Sequence, residues 1–106
     1  MRDLPVLSWF DGFNVLEFLF IMDNITLLKE FEDLAERMSI HVRYGKLDGE
    51  GGLCRYRGIY HIVINRRLDT DGRINLLGRA FSGFSLENVF LIPAVREVID
   101  RNREGN

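Results

Sequence analysis

Hydrophobic residues recur at a helical spacing in the stretch that follows residue 26. They fall at positions i, i+1, i+4, i+7, i+8 and i+11 and are Leu27, Leu28, Phe31, Leu34, Ala35 and Met38. This spacing places them on one face of an α-helix. Asp23 or Asn24 can cap the helix with a side-chain oxygen. The sequence therefore predicts a helix that begins at these two residues.

The pattern then changes to that of β-strands. Apolar and polar residues alternate through a first short strand, whose apolar members are Ile40, Val42 and Tyr44. Residues 53–57 and 59–65 are predicted to form two further strands around Arg57-Gly58, which suits a tight hairpin turn. The continuous run Ile62-Val63-Ile64 favours a strand inside the sheet. We expect a glycine-rich loop at residues 48–52 to connect the first strand to the hairpin.

Two more helices are predicted after the hairpin. Asp69 or Thr70 can cap a helix over residues 71–84, although Gly78 weakens it. Pro93 suits the first turn of a final helix, and the buried stripe of that helix is predicted to be Ala94, Val95, Val98 and Ile99. The predicted fold is α+β, with a three-stranded, mostly antiparallel sheet packed by two or three helices. The order is helix, strand, strand, strand, helix, helix, within a single domain at residues 23–104.

Residues 1–22 form a separate apolar N-terminal extension that contains the one tryptophan, Trp9. Asp11, Asn14 and Glu17 interrupt the apolar run, so a membrane span is not expected. A signal peptide is not expected either, because no small-residue cleavage site follows. Two interpretations remain open. Residues 14–22 form a strand or helix that packs on this domain or on a second copy, or Met22 is the true start of the protein.

Charge and cysteine content narrow the classes of function. The formal net charge is −2, which argues against a protein that is basic overall and binds nucleic acid. Residues 37–67 are nevertheless locally basic, and arginine outnumbers lysine twelve to two in the chain. The candidate anion-binding or partner-binding residues are Arg43, Arg55, Tyr56, Arg57, Arg66 and Arg67. The one cysteine permits no intramolecular disulfide, which fits a reducing compartment such as the cytoplasm.

Cys54 and His61 are the one pair with the chemistry of a nucleophile and its base. A two-residue turn at Arg57-Gly58 places Cys54 opposite His61 in the hairpin, with β-carbons about 5 Å apart. A free cysteine is more often a buried, inert residue, and no oxyanion donor is recognisable. His41 and His61 are metal-ligand types, but no third ligand is evident. We therefore predict no catalytic residue, no metal and no cofactor.

Several short segments resemble the ImmA/IrrE group of zinc-peptidase-like proteins. They are residues 34–42, Gly52-Leu53, residues 62–65 and Arg73. In that group the following helix carries a His-Glu-x-x-His motif. Its two histidines align here with Arg79 and Gly83, and its glutamate aligns with Ala80. None of these residues ligates zinc or acts as a carboxylate base. The resemblance thus implies an inherited scaffold that has lost its metal site.

These observations predict a non-enzymatic interaction module that binds another protein or a second copy of itself. The expected contact surface is the segment Leu4–Met22 or the sheet face around Arg43, Arg55 and Arg57. The alternative is a weak nucleic-acid or anion binder that uses the same arginines. A third interpretation is an enzyme that depends on Cys54.

Overall fold

The computed structural model describes residues 15–104, with side chains from residue 24 onward. Within this range the elements are α1 (Val15–Arg37), β1 (His41–Gly45), β2 (Gly51–Tyr56), β3 (Ile59–Asn65), α2 (Thr70–Phe81) and α3 (Pro93–Glu104). The predicted α+β class and the predicted order of elements are confirmed.

Helix α1 begins earlier than predicted. It starts at Val15 and runs through Asp23 and Asn24, so these residues lie inside the helix and do not cap it. Neither glycine nor proline occurs between residues 15 and 37, and Asp or Asn inside a helix costs well under ~1 kcal/mol. Residues 1–14 lie outside the described part of the chain, so a start at Met22 stays a prediction, as does the domain boundary there.

The sheet is mixed, with strand order β1-β3-β2. Strand β3 occupies the centre, as its apolar run predicted, and it pairs in parallel with β1 and antiparallel with β2. The parallel pairing arises because the β1–β2 connection crosses the end of β3 before the hairpin begins. The hairpin turn lies at Arg57-Gly58 as predicted. Both residues have positive φ, 54° and 81°, which is the conformation of a type I′ turn.

The core lies between one face of the sheet and the helices. Ile62 and Ile64 of β3 are fully buried on the side of the sheet where α2 packs against β3. The rings of Phe31 and Phe81 stack there with their centroids 6.0 Å apart, joining the two helices. The predicted apolar face of α1 is confirmed, because its six residues are buried or packed against this core.

Helices α2 and α3 pack closely through Gly78. A β-carbon at this position would lie 2.5 Å from Val98 Cγ1, so the glycine that weakens α2 as a helix also permits the approach of α3. Asp69 caps α2 as predicted, since its side chain accepts a hydrogen bond of 2.8 Å from the Gly72 amide. The helix ends at Phe81, three residues earlier than expected.

Helix α3 begins at Pro93, as the sequence predicted. The prediction that Ala94 belongs to its buried stripe is wrong, because this residue of the first turn is exposed. The burial of α3 starts one residue later, and its buried residues are Val95, Val98 and Ile99. Among the described residues, no helix has both the length and the apolarity that a membrane crossing requires.

Candidate interaction surface

The face of the sheet opposite the core carries a compact group of side chains, here called the outer face. Successive residues of a strand point to opposite faces, and besides the buried Asn65 at the end of β3 the register places seven side chains there. They are His41 and Arg43 from β1, Cys54 and Tyr56 from β2, and Ile59, His61 and Val63 from β3. None of the seven is acidic.

Much of the outer face is accessible. Tyr56 is 60% exposed and Ile59 is 43% exposed, while His61 and Val63 are half-buried because neighbouring strands flank them on both sides. Arg43 is exposed on β1. The guanidinium carbon of Arg57 lies 5.1 Å from the centroid of the Tyr56 ring, which adds a second cation at this face. The outer face thus combines apolar and aromatic groups with positive charge.

One cross-strand row of the outer face consists of His41, His61 and Cys54. The predicted pairing of Cys54 with His61 is confirmed, and His41 pairs with His61 on the other side. The two imidazole centroids are 5.1 Å apart, with the rings nearly perpendicular. The expectation that Cys54 is buried is wrong, because its side chain is exposed at the edge strand. Within the described residues, no three potential metal ligands converge on one point.

The arginines predicted to bind an anion or a partner do not lie on one surface of the molecule. Arg55 lies on the core side of the hairpin, with its guanidinium carbon 5.3 Å from the Tyr60 ring centroid. Arg66 and Arg67 follow the far end of β3, which is about 20 Å from the hairpin turn for a strand of this length. There Arg67 lines a cavity of about 350 Å³ with Lys46, Leu47 and Asp48. Of these predicted arginines, only Arg43 and Arg57 lie at the outer face.

Asn65 holds the loop that crosses the end of β3. Its Nδ2 donates hydrogen bonds to the carbonyl oxygens of Leu47 and Gly49, at 3.0 and 2.7 Å. Its Oδ1 accepts a third bond of 3.0 Å from the Arg67 amide. The residue is 8% exposed. The sequence signal for this role is a polar residue that directly follows the apolar run Ile62-Val63-Ile64.

Gly51 lets the same loop join β2. Its φ is +117°, and a β-carbon there would lie 1.9 Å from the Val63 carbonyl oxygen. Only glycine fits such a close approach between strands. The turn-rich composition of residues 48–52 predicted a loop but did not identify which glycine the backbone requires.

Tyr44 joins three elements on the core side of the sheet. Its hydroxyl donates a hydrogen bond to Glu32 of α1, and the Arg73 guanidinium carbon of α2 lies 4.8 Å from its ring centroid. Burial, together with this hydrogen bond and the nearby negative charge of Glu32, raises the pKa of Tyr44 to about 12. Arg73 also donates hydrogen bonds to the carbonyl oxygens of Leu68 and Arg66. This cluster ties α1, β1 and α2 together.

The three residues that align with the zinc motif form an exposed ion pair, belong to the core or lie beyond the end of the helix. Arg79 is exposed and forms an ion pair of 2.8 Å with Glu50. Ala80 belongs to the hydrophobic core, and Gly83 lies two residues beyond the end of α2. Because a pair of ligands one turn apart must share a helix, Gly83 does not provide the second position of such a pair.

Comparisons with known proteins add no relative to this description. No protein-family model, no curated protein and no solved structure matches the chain. The resemblance to the ImmA/IrrE group therefore stays a prediction.

Proposed function

We propose that the protein is a non-catalytic interaction module that binds an acidic segment of a partner protein on its outer face. The observation that carries this proposal is the composition of that face, where exposed Tyr56 and Ile59 share the surface with exposed Arg43 and none of the seven residues is acidic. Tyrosine and arginine are the residue types that most often dominate binding energy at protein interfaces. Arginine also binds carboxylates through two parallel hydrogen bonds.

Charge favours an acidic partner over a second copy of the chain. Two outer faces placed against each other would bring Arg43 and the neighbouring cations together without any carboxylate to offset them. Like charges at an interface oppose association. Self-association through the apolar extension stays a separate prediction, because residues 1–14 lie outside the described range.

The scaffold is proposed to be that of the ImmA/IrrE group without its metal motif, and the proposed compartment is the cytoplasm. The order of helix, strand, hairpin and helix supports the first proposal. The free and exposed thiol of Cys54 supports the second, because such a thiol persists in a reducing compartment.

A charge-reversal experiment tests the partner proposal. The tagged full chain is used to capture proteins from a nuclease-treated lysate of the source cells, and an acidic segment of the captured protein is synthesised as a labelled peptide. We expect Arg43→Glu to weaken peptide binding by at least about tenfold, or about 1.4 kcal/mol. Arg96→Glu is the matched control, because Arg96 is exposed on α3, away from the sheet. Equal binding of the peptide to wild type and Arg43→Glu would refute the proposal.

Single-stranded nucleic acid is the second candidate occupant of the outer face. The specific observation is that Tyr56, His61 and His41 present rings on the same face as Arg43. Aromatic rings and arginine on one surface are typical of proteins that stack unpaired bases. A fluorescein-labelled oligothymidine distinguishes the two candidates. Saturable binding at about 0.15 M salt that Tyr56→Ala abolishes would favour nucleic acid, and its absence would favour the acidic protein partner.

A further inference from the structure

The chain contains two histidines, and the fold places them side by side. His41 lies on β1 and His61 on β3, where they are direct partners in the parallel pairing. Their ring centroids are 5.1 Å apart and their planes cross at 83°. Both side chains lie on the outer face, and His41 is exposed to solvent.

The spacing of the two rings matches that of two imidazoles bound to one tetrahedral metal. A metal–nitrogen bond of about 2.0 Å places the ring centroid about 3.2 Å from the ion. Two such rings at a tetrahedral angle have centroids about 5 Å apart, as these rings do. The parallel register of β1 and β3 thus brings the two imidazoles together at a centroid separation that two ligands of one ion also have.

The ring nitrogens are available to a ligand. Neither imidazole forms a hydrogen bond or an ion pair with any residue in the described range. None of the seven outer-face residues is a carboxylate that could accept a hydrogen bond from either imidazole. A neutral imidazole is a preferred ligand for borderline transition metals and a poor one for Mg²⁺ or Ca²⁺.

We propose that His41 and His61 form a two-imidazole chelating site for a divalent transition metal such as Zn²⁺ or Cu²⁺. Water fills the remaining coordination positions. Cys54 neighbours His61 in the same row but does not converge with both rings, in keeping with the lack of a three-ligand group among the described residues. The proposal does not depend on the acidic partner, because metal binding is measured on the protein alone.

Zinc titration of the full-length protein, purified without a histidine tag, tests this site. Calorimetry with Zn²⁺ alone is expected to show one ion per chain. His41→Gln and His61→Gln should each weaken binding by at least about tenfold, because the second imidazole binds intramolecularly once the first is engaged. Cys54→Ser is the matched control, since it alters the third member of the row and keeps both rings. We expect its affinity to equal that of the wild type.

Thermal unfolding provides a second measurement that does not depend on calorimetry. The two histidines adjoin only in the folded state, so Zn²⁺ should raise the unfolding midpoint of wild type and Cys54→Ser. It should not raise that of His41→Gln, a substitution that removes no core contact because His41 is exposed. Equal zinc affinity of His41→Gln and wild type would overturn the proposal, and so would loss of binding in Cys54→Ser. Absence of any saturable binding would overturn it as well.

Discussion

Adjacent residues of β3 face two different environments. Ile62 and Ile64 are fully buried on the core side of the sheet, whereas Ile59 is exposed and His61 and Val63 are half-buried on the outer face. The inner residues are constrained by the packing of a core, in which every methylene contributes to stability. The outer residues are more accessible to solvent, so we expect their substitution to cost less stability than substitution of the inner residues.

A matched pair of substitutions in β3 tests this contrast directly. Ile62→Ala removes a fully buried side chain and should lower the free energy of unfolding by about 2–5 kcal/mol. Ile59→Ala removes the same atoms from the outer face, where the residue is 43% exposed, and should cost about 1 kcal/mol or less. Urea denaturation of both variants gives the comparison. Equal losses would contradict the assignment of the two faces.

Asn65 is buried although it lies on the outer-face side of β3. Its substitution should have the next largest effect on stability. Asn65→Ala leaves the carbonyl oxygens of Leu47 and Gly49 and the Arg67 amide without their partner. We expect a loss of about 2–3 kcal/mol in unfolding free energy. Asn75→Ala, at an exposed asparagine of α2, is the control and should cost under ~0.5 kcal/mol. A similar cost for both variants would show that the loop does not depend on Asn65.

Sequence pattern predicted the local elements of this fold better than their ends and tertiary pairings. The helical spacing from Leu27 to Met38 and the turn at Arg57-Gly58 are local signals, and both were confirmed. The parallel pairing of β1 with β3 depends on how a loop crosses a strand, which no local pattern encodes. The early start of α1 was missed because a capping residue permits a helix to begin but does not require it.

The candidate site was predicted only in part for the same reason. Cys54 and His61 were correctly paired, since a two-residue turn fixes the register of a hairpin. The position of His41 beside His61 was not predictable, because it follows from the parallel pairing. The arginines looked like one group in sequence, but strand length separates Arg57 from Arg66 and Arg67. Closeness in sequence is thus a weak guide to a shared surface when a strand intervenes.

Tyr44 on the core side should make the stability of the protein depend on pH in the alkaline range. Its pKa is raised from 10 to about 12, so the folded state holds this proton more tightly than the unfolded state does. The stabilisation is complete below pH 10 and is lost as the pH rises toward 12. Tyr44→Phe should show a shallower loss of stability over that range in urea denaturation. Identical slopes for the variant and the wild type would contradict the role of this hydroxyl.

The smallest expected effect on stability, and the sharpest check on the outer face, is at Cys54. Cys54→Ser should change the unfolding free energy by less than about 0.5 kcal/mol, because the side chain is exposed. Iodoacetamide should modify the thiol of the folded protein at a rate within a few-fold of that in urea, measured by intact mass. A much slower reaction would mean that the outer face is covered in the full chain. Adding Zn²⁺ should leave the rate unchanged, because the proposed chelate uses the two imidazoles and not the thiol.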